Sequence, residues 1–171
     1  MLLTDPTHTR SRTVDWQDWR QVRQHTQGWT GLQIMQGIRD GTLPPPPIAR
    51  LLGFDCTVAE PGLITMELTA AEEMENPAGL IHGGIAATLL DTVMGAAVHT
   101  LLPAGRVSVT LNMNITFLRP LRAHSGVLRA TGKVQNLGKS VAYAMGEFHD
   151  EAGKLAAHAV GNFSIIDIPK F

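Results

Sequence analysis

Cysteine is nearly absent from this 171-residue chain. Cys56 is the only one, so no disulfide can form within the chain, and no CxxC pair or Cys/His spacing offers a zinc site. Net charge is equally scarce. Fourteen Lys and Arg against 15 Asp and Glu leave −1 at pH 7, too little for a field that would hold nucleic acid or an anionic membrane. The glycine loop that cradles nucleotide phosphates is missing, so nucleotide hydrolysis is not expected. The opening residues, MLLTDPTHTR, lack a basic stretch followed by a long apolar one, so no signal peptide is expected and the cytoplasm is the expected location. One apolar run, residues 83–102, is about long enough to span a bilayer. It contains Asp91, His99 and several glycines, and nothing else in the chain resembles it, so it reads as a buried helix of a water-soluble protein. Internal repeats are absent, and the only low-complexity tract is four prolines.

The length suits one domain with a substantial core. The prolines of LPPPP (43–47) punctuate the chain: they set an extended spacer and end any helix before them. Ahead of them two helical segments are predicted. In the first, Asp15 caps a turn that aligns Trp16, Trp19 and Val22 or Arg23. In the second, TGLQIMQGIRDG (30–41), Leu32, Met35 and Ile38 or Arg39 repeat at helical spacing and Gly41 is a stop. Three tryptophans in the first thirty residues imply that this arm packs on the domain or on a neighbouring subunit. The expected division is an arm and spacer over 1–47 and a domain over 48–171.

After the prolines the pattern turns to strands. FDCTVAE and LITMELTA flank Pro61-Gly62 as a hairpin. RVSVTLNMNITFLRP (106–120) alternates apolar and polar residues without a break from Val107 to Phe117, which predicts a strand with one face on a core. Three more strands are predicted over 126–138, 139–153 and 154–166. Two strands, one long helix and four strands define an α+β fold with an antiparallel sheet. The simplest arrangement wraps that sheet around the helix and leaves any remaining helix surface to a second copy or to the arm.

The helix segment poses the chemical question. Ile85, Leu89, Leu90, Val93, Met94, Ala97 and Val98 cover nearly its whole circumference, which predicts burial on all sides. Asp91 lies in their midst, and an unpaired buried carboxylate is costly. A carboxylate in partly apolar surroundings accepts protons more readily, so it is a reasonable base for activating water, or it attacks a carbonyl itself. The helix opens with His82-Gly83-Gly84. Side-chain-free Gly83 and Gly84 let a ligand approach their N–H groups, which are unpaired donors at the positive end of the helix dipole. A carbonyl oxygen placed there would be polarised. Gly83 and Asp91, eight residues apart, are separated by about 12 Å along the axis and about 80° around it. They cannot touch one reacting carbonyl from the same helix, so a site using both must be shared between two chains.

The stretch NPAGLIHGGIAATLLDTVMGAAV, followed by VSVTLNMNITFLRP, resembles the hotdog-fold acyl-CoA thioesterases of the phenylacetate-degradation (PaaI-like) type, over roughly residues 48–166. The pattern N-x5-HGG-x6-D carries the resemblance. It implies a hotdog fold, at least a homodimer and usually a homotetramer, and hydrolysis of an acyl-CoA thioester with no cofactor beyond the coenzyme A of the substrate. By resemblance Asp91 activates water or attacks the thioester, and Gly83 donates its N–H to the thioester oxygen. Asn76 helps place the nucleophile or its water, and His82 supports the loop. Ser108 matches a position that carries a hydroxyl near the attacking water, with Thr110 a neighbouring alternative. Arg119, Arg122 and the turn Gly138, Lys139, Ser140 are candidate contacts for coenzyme A phosphates, together with the Gly84 backbone. The chemistry requires no metal. Two other readings share the fold: a hydroxyacyl dehydratase or hydratase pairing His82 with Asp91, and a non-catalytic acyl-CoA-binding protein. The loop lacks the proline-flanked histidine of the former.

Overall fold

The computed structural model describes residues 9–168. Most of the stretch read for a signal peptide, residues 1–8, lies outside them. Helix α1 (Trp19–His25) is capped by Asp18, whose carboxylate accepts the Arg20 N–H at 2.9 Å and also grips the Arg20 guanidinium. Asp15, the expected cap, lies before the helix, because Asp18 can cap and pair at once; the Asp15 carbonyl accepts from Arg50 Nε instead. Trp16 therefore stands in solvent, while Trp19 turns inward and donates from Nε1 to the Pro45 carbonyl at 3.0 Å. Helix α2 (Gly31–Arg39) opens with a reciprocal cap between Thr30 and Gln33 and buries Met35. The proline tract does not stay extended to its end. Pro47 starts helix α3 (Pro47–Leu52), a first-turn position where the missing N–H costs nothing.

Strands β1 (Phe54–Glu60) and β2 (Leu63–Thr69) form the expected hairpin. Helix α4 (Gly83–His99) comes next, then β3 (Arg106–Phe117), β4 (Val127–Leu137), β5 (Val141–His149) and β6 (Leu155–Asp167). All six strands join one antiparallel sheet in the order β1-β2-β4-β5-β6-β3. Helix α4 packs against β2 through β6. Small residues make that close approach feasible. Gly132 of β4 faces Gly146 of β5, and a Cβ on Gly132 would overlap the Val93 carbonyl. Buried Ala130, Ala142, Ala144, Ala157 and Ala159 extend this floor, onto which Leu89, Leu90, Val93, Met94, Ala97 and Val98 are pressed. This is the hotdog arrangement.

The helix is not buried all round, contrary to its apolar circumference. Thr88, Asp91, Thr92, Gly95, Ala96 and His99 form a half-buried stripe, because the sheet covers only the opposite side. The arm lies over part of this stripe. Gly31 marks the junction: its N–H donates to the Leu102 carbonyl, and any side chain there would collide with the His99 carbonyl.

The alternation along β3 is also interrupted. Pairing with β6 runs Ser108↔Ile165 and Thr110↔Phe163, then resumes at Asn112↔Asn162, which leaves Leu111 as a bulge. Ser108 and Thr110 therefore share the inner face with Met113 and Ile115, while Val109 and Leu111 are 45% and 57% exposed. The two expected faces exchange partners at Leu111. The extra residue is invisible to a period of two, which continues across it.

Candidate active site

Asp91 lies halfway along α4 on the half-buried stripe. Its Oδ1 accepts a 2.8 Å hydrogen bond from the Thr110 hydroxyl, which the β3 bulge keeps on the inner face. Ser108 lies one inward position earlier, but its hydroxyl donates to the Gly95 carbonyl at 2.9 Å. Of the two hydroxyls named from the sequence, Thr110 holds the carboxylate and Ser108 closes the helix backbone. Asp91, Ser108 and Thr110 border a cavity of about 390 Å³ whose far wall is the arm, through Trp19, Ile34 and Met35.

The start of α4 builds a second cleft, of about 320 Å³. His82 caps the helix: its Nδ1 accepts the Gly84 N–H at 2.9 Å, which puts the proton of a neutral ring on Nε2. The Gly84 N–H is thereby committed. The Gly83 N–H has no acceptor among the described residues and is the donor left at the helix tip. A Cβ on Gly83 would sit 3.3 Å from the Phe117 ring, so a side chain there would crowd the cleft. Asn76 lines the same cleft. Its Oδ1 accepts from the N–H groups of Ala78 (2.9 Å) and Leu80 (3.3 Å), tying the loop ahead of the helix, so its amide NH2 is what it can offer outward.

Arg119 borders the Gly83 cleft as well, two residues beyond Phe117. Arg122 is exposed nearby, its N–H donating to the Ser125 hydroxyl. Gly138, Lys139 and Ser140 form the exposed β4–β5 turn at the opposite end of the sheet, where the Ser140 carbonyl accepts the Ile165 N–H. Within one chain, then, the predicted residues fall into two groups. Gly83, Asn76, His82 and Arg119 gather around one cleft, with Gly84 next in the chain but outside its lining; Asp91, Ser108 and Thr110 gather around the other. The turn 138–140 belongs with neither. Among the described residues no three His, Cys, Asp or Glu side chains cluster as a metal site would require, and no helix is long and apolar enough to cross a membrane.

Two contributors escaped the sequence reading. Phe117 was assigned to the strand core, yet it is 56% exposed and roofs Gly83. The arm was assigned packing alone, yet it walls the Asp91 cavity. No motif announces either one, since both depend on which segment folds over the helix stripe.

Chemically, one cleft supplies an unpaired backbone N–H at a helix start, where partial positive charge suits a carbonyl oxygen gaining negative charge. The other supplies a carboxylate with one oxygen tied and the second, Oδ2, left for a water molecule. Such a pair is chemically suited to hydrolysing an acyl group.

Known proteins agree. The family model of the thioesterase superfamily matches residues 78–157, a span that holds both glycines and Asp91 and excludes the arm. Human acyl-coenzyme A thioesterase 13 is 34% identical over 110 residues, covering 63% of this chain and 77% of that protein. The proofreading thioesterase EntH of Klebsiella pneumoniae is 30% identical over 103 residues, covering 60% of this chain and 74% of that protein. Among solved structures, the E. coli PaaI protein from the phenylacetic acid degradation operon superposes with a TM-score of 0.70 at 25% identity, covering 80% of this chain and 96% of that one. With a hotdog sheet around α4, the Gly83 tip and the Asp91 carboxylate in place, the chain belongs to the thioesterase superfamily and is a thioester hydrolase.

Proposed function

We propose that the substrate is an acyl-CoA thioester and that each active site is assembled from two copies of the chain. The observation that carries this is the division just described. The helix-tip donor and the carboxylate lie about 12 Å apart on one rigid helix and open into separate cavities. A second copy that brings its Gly83 cleft to this copy's Asp91 completes the site. The edge strand β3 supports such pairing. It is hydrogen-bonded along one side only, to β6, and it exposes Val109 and Leu111.

In the assembled site the thioester oxygen accepts from Gly83 N–H of one copy. Asp91 of the other takes a proton from water through Oδ2 while the water oxygen attacks the carbonyl carbon. The C–S bond then breaks and the coenzyme A thiolate leaves and is protonated. Direct attack by Asp91 would instead give a mixed anhydride. If water then attacks the Asp91 carbonyl of that anhydride, single turnover in labelled water leaves the label in the protein and not in the product. Thr110 fixes the carboxylate in either case. Asn76, through its amide NH2, and His82, through the helix cap, hold the thioester end. Arg119 is the cation closest to the leaving group's side, with Arg122 beyond it. Because Lys139 and its turn lie at the other end of the sheet, they reach the same coenzyme A only from the partner copy.

A dehydratase pairing of His82 with Asp91 has no support within one chain, since His82 Nδ1 is already used as the cap. The test is free-thiol release from a panel of acyl-CoAs. Asp91→Asn lowers turnover by roughly two orders of magnitude or more while light scattering shows an unchanged assembly. Wild-type turnover in that variant removes Asp91 from the reaction.

A further inference from the structure

The Asp91 cavity does not end at the carboxylate. Its floor is the α4 stripe, where Thr92 and Ala96 present small side chains, and its roof is the arm, through Met35, Ile38 and Pro46. These same five residues also border a second cavity, of about 370 Å³, that continues beneath the arm. The second cavity is closed by Leu43, Phe54, Cys56 and Met66, between the proline tract and the β1–β2 hairpin. Met35 stands at the junction, 6% exposed, and its unbranched thioether can swing aside without breaking any hydrogen bond.

The polar groups along this path are already satisfied or neutral. Thr92 donates its hydroxyl to the Thr88 carbonyl at 2.7 Å, and Ser108 donates to Gly95. Burial holds His99 below the usual imidazole range and pushes the Cys56 thiol up to about 11, so both are uncharged at neutral pH. Arg39, at the outer rim, is locked to Asp40 through Nε–Oδ1 at 2.8 Å and a second nitrogen–oxygen contact at 3.1 Å. Asp55 borders the second cavity from its exposed side, and Asp91 stands at the end where a thioester carbon would react.

We propose that the arm and α4 enclose a single acyl channel that runs from Asp91 past Ala96 into the second cavity, and that it selects medium-chain aliphatic acyl groups over acetyl and over aryl groups. An acetyl group would leave the channel empty. A ring fills the first cavity but is too wide and rigid to pass Met35 and Ile38. A flexible alkyl chain fills both and buries every methylene it adds. The arm, which lies outside the span matched by the family model, is then the specificity element of this chain. This inference rests on the acyl-CoA thioesterase reading and adds the substrate's chemical class to it.

The test is kcat/KM for acetyl-, butanoyl-, octanoyl-, decanoyl-, benzoyl- and phenylacetyl-CoA. For the wild type, kcat/KM is expected to rise by up to roughly fourfold per added methylene, with decanoyl-CoA above both aryl substrates. Two plugs enter from opposite walls: Ala96→Phe from the helix and Ile38→Trp from the arm. Each should lower the ratio of decanoyl- to butanoyl-CoA kcat/KM by about tenfold or more, with thermal melts and light scattering showing that the variant is folded and assembled. A wild-type preference for aryl or acetyl substrates overturns the channel while leaving the thioesterase reading intact. So does an unchanged chain-length profile in plugged enzymes that still cleave butanoyl-CoA. If either plug fails to fold, the wild-type profile alone decides. Failure to cleave any member of the panel overturns the thioesterase reading itself, and this inference with it.

Discussion

Replacing Thr110 by valine keeps the shape of the side chain and removes the hydroxyl that donates to Asp91 Oδ1 at 2.8 Å. A hydrogen bond to a charged group contributes roughly 1.5–3 kcal/mol, and each 1.4 kcal/mol or so on a barrier is a factor of about ten in rate. Thr110 is exposed in the single chain, so solvent takes over part of the lost bond and the lower end of that range applies. The expected result is a fall of about tenfold in kcat, with KM and melting temperature little changed, and recovery in Thr110→Ser. Ser108→Ala is the paired control. Its hydroxyl holds the Gly95 carbonyl, so its loss should cost about 0.5–1.5 kcal/mol of stability and less than about threefold in kcat. Steady-state thiol release and thermal melts on the three variants separate the two roles. Wild-type rates in Thr110→Val beside a collapsed Ser108→Ala would refute the assignment, because they would put Ser108, not Thr110, against the reacting water.

Two further predictions concern buried groups on the arm side. Desolvation lowers the His99 pKa in the folded chain, so the folded state resists taking the proton that the unfolded chain accepts below a pH of about 6.5. Stability should therefore be full above that pH and decline as pH falls toward the folded pKa. His99→Gln should flatten the decline in melts across this range, and an unchanged slope would refute the burial argument. The Cys56 thiol, raised to about 11, should react with a disulfide reagent at pH 8 about two orders of magnitude more slowly than a free cysteine. Rapid stoichiometric labelling would mean that the arm stands open in solution.

The sequence is most informative where a residue's role follows from its neighbours along the chain. The helix start at Gly83, the Pro61-Gly62 hairpin and the strands after Val127 all follow from local pattern and lie where pattern puts them. The grouping of Asn76, His82 and Gly83 at the helix tip is legible for the same reason, since all three lie within one loop and one turn. Legibility stops where a contact depends on a distant segment. Ser108 and Thr110 are both hydroxyls on one strand at equivalent positions, and only the packing of β3 against α4 assigns Gly95 to one and Asp91 to the other. Asp18 outcompetes Asp15 as a cap because Arg20 lies within its reach. Pro47 opens α3 although three prolines before it stay extended, a choice made by the packing of Ala49 against the domain. The arm's place over Ala96 and His99 has no sequence signature, because Gly31 reveals its purpose only when the His99 carbonyl is seen beside it.

The extra residue at Leu111 uncouples the two halves of β3. Upstream of it, the inward side chains are the hydroxyls of Ser108 and Thr110, which bond to α4 at Gly95 and Asp91; downstream, Met113 and Ile115 are apolar and pack against the core. Because the pleat is reset between them, chemistry and packing occupy the same side of one strand without sharing a pattern. Evolution can exchange a hydroxyl near Asp91 without disturbing Met113 or Ile115, whereas deleting the single bulged residue would turn one half of the strand inside out.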